Sequence, residues 1–479
     1  MVSICVTLDD HKPLVMEFDW ELQWERFDRC IRALVRQLIV AVVEALISWK
    51  DDELAALVPA DWRNKGKEKR WLLTALGYVL IHRRVFRDKA GQRHKPLDEA
   101  LRLERYQRVT PYVTDLAAYL ASEETYRVAA DALAEVVQEK VSRSRIQRSV
   151  WKTGAELDME EAAEREAVFG HGADASSGQV KAPVLFGETD GTYVSLQRER
   201  QRKAEVRVAV MYSGKKRIAA GRWGLKDKVA FTALCDDSEE WQEMLLLTAN
   251  RAYELGACGC LVVGGDGGAW VRQSFDRLDI PGPFQLDRYH MFRAARRTPP
   301  SCQKEVVDLV RRAIRGGFEA VEEPLWNLAC QHNGRARQKI EELCQYLGHN
   351  RDGVMDYRLR LGLNEEHWRG LGTIEGNVDK LVVRRMKGRG MSWRLQGAKS
   401  MLALIRHRSE LRTRATKSPP VPSSKGRSPV PQRPKTKDAD YLQKGVPVIH
   451  SKHENDLDIQ WLKRRINGLP ILSFPRPLP

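Results

Sequence analysis

Apolar residues recur at helical spacing across 21–50 (Ile31, Leu34, Val35, Leu38, Ile39, Val42, Val43, Leu46, Ile47), which predicts an amphipathic helix with a broad buried face. Over 70–97 the pattern changes to alternation with β-branched residues (Tyr78 to Ile81, then Val85 and Phe86). Asp88-Lys-Ala-Gly91 supplies a turn, so a small β-hairpin is expected. Three short helices are expected over 110–155, one across 126–137 and another across 143–153 with Ser142 as its N-cap. This is the outline of a helix-turn-helix, with Ile146 and Val150 facing inward and Arg143, Arg145, Arg148 and Lys152 free to meet phosphates and base edges. A plain helical hairpin satisfies the same pattern.

Residues 156–180 are acidic, then small and glycine-rich, and read as a linker. Strand-like runs follow at 184–196, 205–212 and 229–234, then a helix over 238–255, a strand at 260–264 and a short strand at 284–286. Strands first, then a helix and a parallel strand, with acids on the strands, is the order of an α/β, ribonuclease-H-like core, although a generic α/β sheet has the same periodicity. The organisation expected is a helical region with a hairpin (1–109), a helix-turn-helix-like DNA-binding segment (110–155), the linker (156–180) and a first part of the core (181–290). An all-α insertion (291–370), a second part of the core with a basic helix (371–415) and a basic Pro-rich tail expected to be disordered (416–479) complete it.

Charge sharpens this picture. The formal net charge is +16, and between Lys380 and Lys437 seventeen basic residues face one acid, Glu410, so this stretch alone equals the whole excess. Such a concentration suits a polyanionic partner, with a solvated helix face as the bland alternative. The eight cysteines (Cys5, Cys30, Cys235, Cys258, Cys260, Cys302, Cys330, Cys344) form no CxxC pair and no zinc-finger spacing, and read as reduced thiols. The start of the chain lacks the regions of a secretory signal, and the longest apolar run, near 38–47, contains Glu44 and is too short to span a bilayer. A soluble cytoplasmic protein is the expectation.

Three acids lie where chemistry would need them. Asp190 sits in Phe186-Gly-Glu-Thr-Asp-Gly-Thr-Tyr-Val194, a carboxylate fixed on a sheet, and Asp266 ends the apolar run Leu261-Val-Val-Gly-Gly-Asp266 among glycines that let a large substrate approach. Either Asp-Gly alone is also an ordinary turn. Gly264-Gly-Asp-Gly-Gly268 lacks the lysine and spacing of a phosphate-binding loop. Glu375, in Gly372-Thr-Ile-Glu-Gly376, starts a helix leading into the basic run; an acid there also suits the helix dipole. Two-metal phosphoryl transfer needs carboxylates from distant parts of the chain to converge on ions roughly 3.5 to 4 Å apart, and hard oxygen ligands favour Mg2+ or Mn2+. Arg384, Arg385, Lys387 and Arg389 would hold the DNA backbone beside such ions, and Trp393 would either stack on an exposed base or belong to the core.

Taken together, Gly187-Glu-Thr-Asp-Gly191, Gly264-Gly-Asp-Gly-Gly-Ala-Trp270, Leu286-Asp-Arg-Tyr-His290, Gly372-Thr-Ile-Glu-Gly376 and Arg384-Arg-Met-Lys-Gly-Arg-Gly-Met-Ser-Trp393 resemble the ISLre-type DDE transposases of bacterial insertion sequences, relatives of the Mutator-like elements. The resemblance covers about residues 65–410 and includes Arg83-Arg and Asp88-x-x-Gly91 upstream. It implies a ribonuclease-H-like fold with a helical insertion before the glutamate, for which the 109-residue spacing from Asp266 to Glu375 leaves room. It also implies that Asp190, Asp266 and Glu375 are a metal-binding catalytic triad. Asp287-Arg-Tyr-His290 matches the family's Cys/Asp-x-x-His motif, in which His290 positions substrate; a capping or packing histidine is the alternative. The Pro-rich tail after Lys417 departs from the family pattern.

The function implied is a transposase that binds double-stranded DNA, both terminal inverted repeats and target, and cuts and joins it. Holding two element ends together implies at least a homodimer, associated with a bacterial nucleoid and with no membrane. An inactive or repurposed transposase acting as a DNA-binding protein, and a nuclease that cuts without joining, are the competing readings.

Overall fold

The computed structural model describes residues 2–6, 14–18, 27–363, 368 and 370–416. The chain begins with two short antiparallel strands, β1 (Val2–Val6) and β2 (Leu14–Phe18), followed by the long helix α1 (Phe27–Ala56). That helix lies against a three-stranded antiparallel sheet of β3 (Arg63–Thr74), β4 (Gly77–Arg87) and β5 (Arg93–His94). Leu72, Val79 and Ile81 of the sheet pack on Val40, Val43 and Ile47 of the helix. Buried polar contacts fix the register: Glu44 accepts from Leu80 N (2.6 Å), and Asp51 accepts from Arg84 N and pairs with its guanidinium (both 2.9 Å). Two turns make this sheet. The tight one, Ala75-Leu76, ends at Gly77 with φ +97° against the Arg36 side chain, and the Asp88–Gly91 turn leads only to the short β5.

After α2 (Pro96–Ala100) come α3 (Pro111–Glu123), α4 (Tyr126–Val137) and α5 (Arg143–Arg165). Ser142 caps α5 by accepting from Arg145 N, and Ile146 and Val150 are fully buried. The linker expected from 156 is instead helix: α5 runs to Arg165 and continues as a π-turn to Gly170. Its acids looked solvated in sequence, yet Asp158 and Glu161 hold the buried Arg406, and Glu161 also meets His407 at 2.8 Å.

The central sheet holds β6 (Val184–Ser195), β7 (Lys203–Tyr212), β10 (Val229–Ala233), β11 (Cys260–Gly265) and β12 (Phe284–Leu286), in the order β10-β7-β6-β11-β12. The pairs β10/β7 and β7/β6 are antiparallel, and β6/β11 and β11/β12 are parallel. A polar hairpin, β8 (Gly214–Ala219) with β9 (Arg222–Lys226), projects between β7 and β10; its exposed Lys216, Arg217 and Arg222 gave no alternation to read. The sheet is buried on both faces. Leu185, Ala209, Met211 and Phe231 meet Trp241 and Leu245 of α6 (Ser238–Ala252). Phe186, Val194, Val206, Val208 and Val210 face the layer of α3, α5 and α15 (Leu395–Arg406). Helix α5 crosses α15 at close range, because Gly154 lies directly on Ser400 and Gly397 on Trp151.

Between β11 and β12 stands α7 (Ala269–Gln273). From β12 to Gly372 the described residues contain helices only: α8 (Arg288–Ala295), α9 (Pro300–Gly316), α10 (Glu322–Cys330), α11 (Gly334–His349), α12 (Arg351–Val354) and α13 (Tyr357–Arg360). They close on their own core of Val306, Val310, Leu325, Leu343 and Leu347, joined to the sheet through Leu286. Helix α14 (Ile374–Val378) continues in π-helical turns to Lys387, and α16 (Arg408–Thr416) follows α15. No helix among the described residues is long and apolar enough to cross a membrane. The tail from 417 lies outside the described residues.

Candidate active site

Side chains alternate along a strand, so residues 186, 188, 190, 192 and 194 of β6 share the face turned to α14 and α15. That face is apolar at both ends and carries Glu188, Asp190 and Thr192, all buried, between them. The parallel pair Gly264–Glu188 sets β11 beside β6, and Asp266, just past the end of β11, comes close enough to Asp190 for its charge to act on that carboxyl. Asp266 leaves the strand into a turn that Gly267 makes possible, at φ +89° and tight against Asn350. Gly268 N donates to its Oδ1 (2.9 Å), and the Tyr346 hydroxyl of α11 donates to its carbonyl (2.9 Å).

Beyond β12, Asp287 caps α8 by accepting from Tyr289 N (3.3 Å) and holds His290 Nδ1 at 2.9 Å. The other ring nitrogen, Nε2, lies 3.7 Å from Glu375 Oε1. When Nδ1 donates to Asp287, Nε2 faces the site as an acceptor in the neutral ring or as a donor in the charged one.

Glu375 stands in the first turn of α14, and that turn is anchored by Glu188. Its Oε2 accepts from Gly372 N (2.8 Å), Thr373 N (2.8 Å) and Ile374 N (3.3 Å), the donors a helix start leaves without partners. Its Oε1 accepts from the Thr373 hydroxyl (2.6 Å) and the Tyr212 hydroxyl (2.8 Å). Glu188 is only 1% exposed, so the carboxylate that follows Gly187 is a bolt between β6 and the glutamate's helix. The sequence alone assigns Glu188 no role. The available signal was the i, i+2 spacing of two acids on one strand face, since a buried carboxylate requires partners.

Burial is the main force lifting the Asp190 carboxyl, to about 6, and the negative charges of Glu375 and Asp266 add to it; His290 and the Gly191 N–H (2.8 Å) oppose. Burial alone would lower His290, but its bond to Asp287 and the charges of Asp190, Asp287 and Asp266 outweigh that and hold it above the usual histidine value. Among the described residues, ligand atoms of Asp190, His290 and Glu375 lie within 4.8 Å of one another. Two carboxylates and an imidazole nitrogen, crowded by a further acid, form a donor set that fits a divalent cation. Asp266 stands outside that close group, beside it, and shares with His290 a cavity of about 300 Å³ whose wall carries Arg293, Arg297 and Lys339.

The residues expected to touch DNA are placed differently from one another. Trp393 is 8% exposed, donates Nε1–H to the Met386 carbonyl (2.8 Å) and bridges by its backbone to the end of β6, so it belongs to the core. Arg385, 4% exposed, is sandwiched near the rings of Tyr126 and Trp393 (5.4 and 5.3 Å) and donates to the Ala121 carbonyl. Burial lowers it to about 10, and it fastens α3 and α4 to the segment after α14 instead of facing solvent. Arg384 is exposed and pairs with Asp379, Lys387 donates to Thr192 on the Asp190 face (2.9 Å), and the side chain of Arg389 lies outside the described residues. On α5 the four basic residues do not form one face: Arg145 reaches the Tyr78 hydroxyl, Lys152 pairs with Glu104, Arg148 is exposed, and Arg143 opens onto a different hollow.

Residues 18–415 match the uncharacterised protein family UPF0236, a span that contains every residue of the site. The chain belongs to UPF0236. A second protein of that name, the UPF0236 protein in the vanSb 3' region of Streptococcus gallolyticus, is 24% identical over 351 residues, which cover 72% of this chain and 73% of that one. Among solved structures, this UPF0236 chain is similar to the Drosophila P element transposase strand transfer complex, at 11% identity and a TM-score of 0.22, over 66% of this chain and 83% of that one.

Proposed function

We propose that this UPF0236 protein is a DDE transposase, which binds the ends of its element in double-stranded DNA and catalyses metal-dependent strand cleavage and strand transfer. The observation that carries the reading is the convergence of Asp190, Asp266, His290 and Glu375, from four distant parts of the chain, around the β6/β11 end of a sheet ordered β10-β7-β6-β11-β12. Three antiparallel strands followed by two parallel ones, with an acid on the first strand and another after the fourth, support a ribonuclease-H-like core into which the α8–α13 helices are inserted.

Asp190, Asp266 and Glu375 would hold Mg2+ or Mn2+, which when bound supplies charge stabilisation of a phosphoryl group and activation of an attacking hydroxyl. The chain's own contribution is placement. Asp190 is fixed by the sheet, Glu375 by Glu188 through the start of α14, and His290 by Asp287, so that its Nε2 meets the site from the α8 side. Arg293 and Arg297 lie where the phosphates next to the reacting one would be neutralised, while Lys339 on the same wall is paired with Glu342. The same reading implies at least a dimer, because two DNA ends are joined to one target. Asp190→Asn tests it: cleavage of duplex DNA is abolished while binding is retained, and retained cutting removes Asp190 from the triad. Cut ends with no joined products would reassign the protein as a nuclease.

A further inference from the structure

Helix α5 divides its polar face between two hollows. Arg145, Arg148 and Lys152 line one that also contains Glu104, Asp115 and Glu156, so its charges are balanced within the fold. The other, a groove of about 830 Å³ between α5, the start of α4, the loop after β6 and the start of α15, has no aspartate or glutamate among its lining residues. Arg127, Arg143, Arg198 and Arg394 all open onto it, all exposed, and none of their guanidinium groups forms a hydrogen bond or ion pair with another described residue. The nearby Glu199 is turned to the Leu395 N–H (3.1 Å).

Four unbalanced guanidiniums on one concave wall repel one another, and the arrangement gains most from a ligand that brings regularly spaced negative charge. The guanidinium fork matches phosphate oxygens in two parallel hydrogen bonds. The aromatic rings on its wall are already engaged: Trp393 is buried, Tyr126 packs edge-on to Trp393 and under Arg385, and Trp151 lies against Gly397, so a single strand held by base stacking is disfavoured relative to a phosphodiester backbone. The groove also continues the line of the site. Ser195, the last residue of β6 and two short of Gln197 on the groove's rim, is five residues along the strand from Asp190, about 17 Å at the rise of a strand, or about five base pairs of duplex.

We propose that this groove holds the backbone of the DNA duplex flanking the strand cut at Asp190, through Arg127, Arg143, Arg198 and Arg394 and without reading sequence. The proposal rests on the reading of the acidic site as DNA-cleaving, and one experiment separates the two. Binding of a fluorescent 30-base-pair duplex by the full chain is followed against salt concentration for wild type, Arg127→Ala/Arg394→Ala and Arg127→Lys/Arg394→Lys, with thermal midpoints as a folding control. Magnesium-dependent cleavage at saturating duplex is measured in parallel. The alanine pair should bind about tenfold more weakly, with a slope of log K against log salt shallower by about 2, should cut within twofold of wild type once saturated, and the lysine pair should recover most of the slope. Affinity and slope unchanged in a folded alanine pair would overturn the groove while leaving the cleavage reading intact. Arginine-dependent binding with no cutting by wild type would leave the groove standing and remove the cleavage reading.

Discussion

Replacing Glu188 tests whether the site is held by its neighbours as described. Five donors converge on this carboxylate: three main-chain N–H groups at the start of α14 and the hydroxyls of Thr373 and Tyr212. In Glu188→Gln the amide oxygen can still face the three N–H groups while its NH2 turns to the two hydroxyls, which rotate to accept. What is lost is the charge, worth about 1.5 to 3 kcal/mol for hydrogen bonds to an ionised group and its interaction with the helix end. Glu188→Ala removes the acceptor of all five donors, of which Ile374 N and the Tyr212 hydroxyl are buried, and should cost on the order of 4 kcal/mol even after relaxation. Because the same turn carries Glu375, displacement of about 1 Å should slow cleavage about 100-fold in the alanine variant and much less in the glutamine variant. Urea unfolding and single-turnover cleavage on the same preparations read both effects. A Glu188→Gln variant as inactive as Asp190→Asn while as stable as wild type would place Glu188 in the chemistry itself, and a Glu188→Ala variant that matches wild type in both would remove its anchoring role.

Trp393→Ala, which empties a core position, should cost about 3 to 5 kcal/mol in urea unfolding and leave the salt slope of DNA binding unchanged; a stable variant with a DNA-binding defect would restore the base-stacking role. Gly154→Ala places a methyl group about 2.5 Å from Ser400 Cβ and its backbone, and should lower stability by about 1 to 3 kcal/mol, which a wild-type thermal midpoint would contradict. Burial would raise Glu161, but the His407 bond and the Arg406 pair hold it at about 2 against an ordinary 4.5, so its stabilisation is complete above 4.5 and is lost as pH falls towards 2, about 3 kcal/mol in all. Asp158, lifted by burial, offsets part of that loss, and His407, held above 6.5, loses its contribution as pH rises through its own raised value. Glu161→Gln should therefore flatten the acid limb of the stability profile; an unchanged limb would contradict the assignment.

Much of this was legible in the order of residues because each central strand is buried on both faces. Apolar runs of the right length in β6, β7, β10, β11 and β12 announced themselves, Asp190 and Asp266 stood out as acids interrupting or ending two of them, and Glu375 as an acid at the start of the helix that leads into the basic run. What stayed hidden depends on pairing across the chain. The acids of α5 resembled a solvated linker until Arg406, some 245 residues away, appeared between them. Arg385 looked like part of a DNA-facing run by composition and Trp393 stood between base stacking and the core, yet each is taken up by a partner from another segment, Tyr126 and Ser195 respectively. Glu188 is the same lesson at the site: its role lies in the N-terminus of a helix nearly two hundred residues downstream.

The most direct test of the central claim is a cleavage and joining reaction on duplex DNA carrying the sequence that flanks the encoding gene, with magnesium or with chelator, comparing wild type and Glu375→Ala. The predicted result is joined products from wild type in magnesium only, and none from Glu375→Ala although it binds the same DNA. Tight, salt-sensitive binding with no metal-dependent cutting by wild type, or joining by Glu375→Ala at the wild-type level, would contradict it.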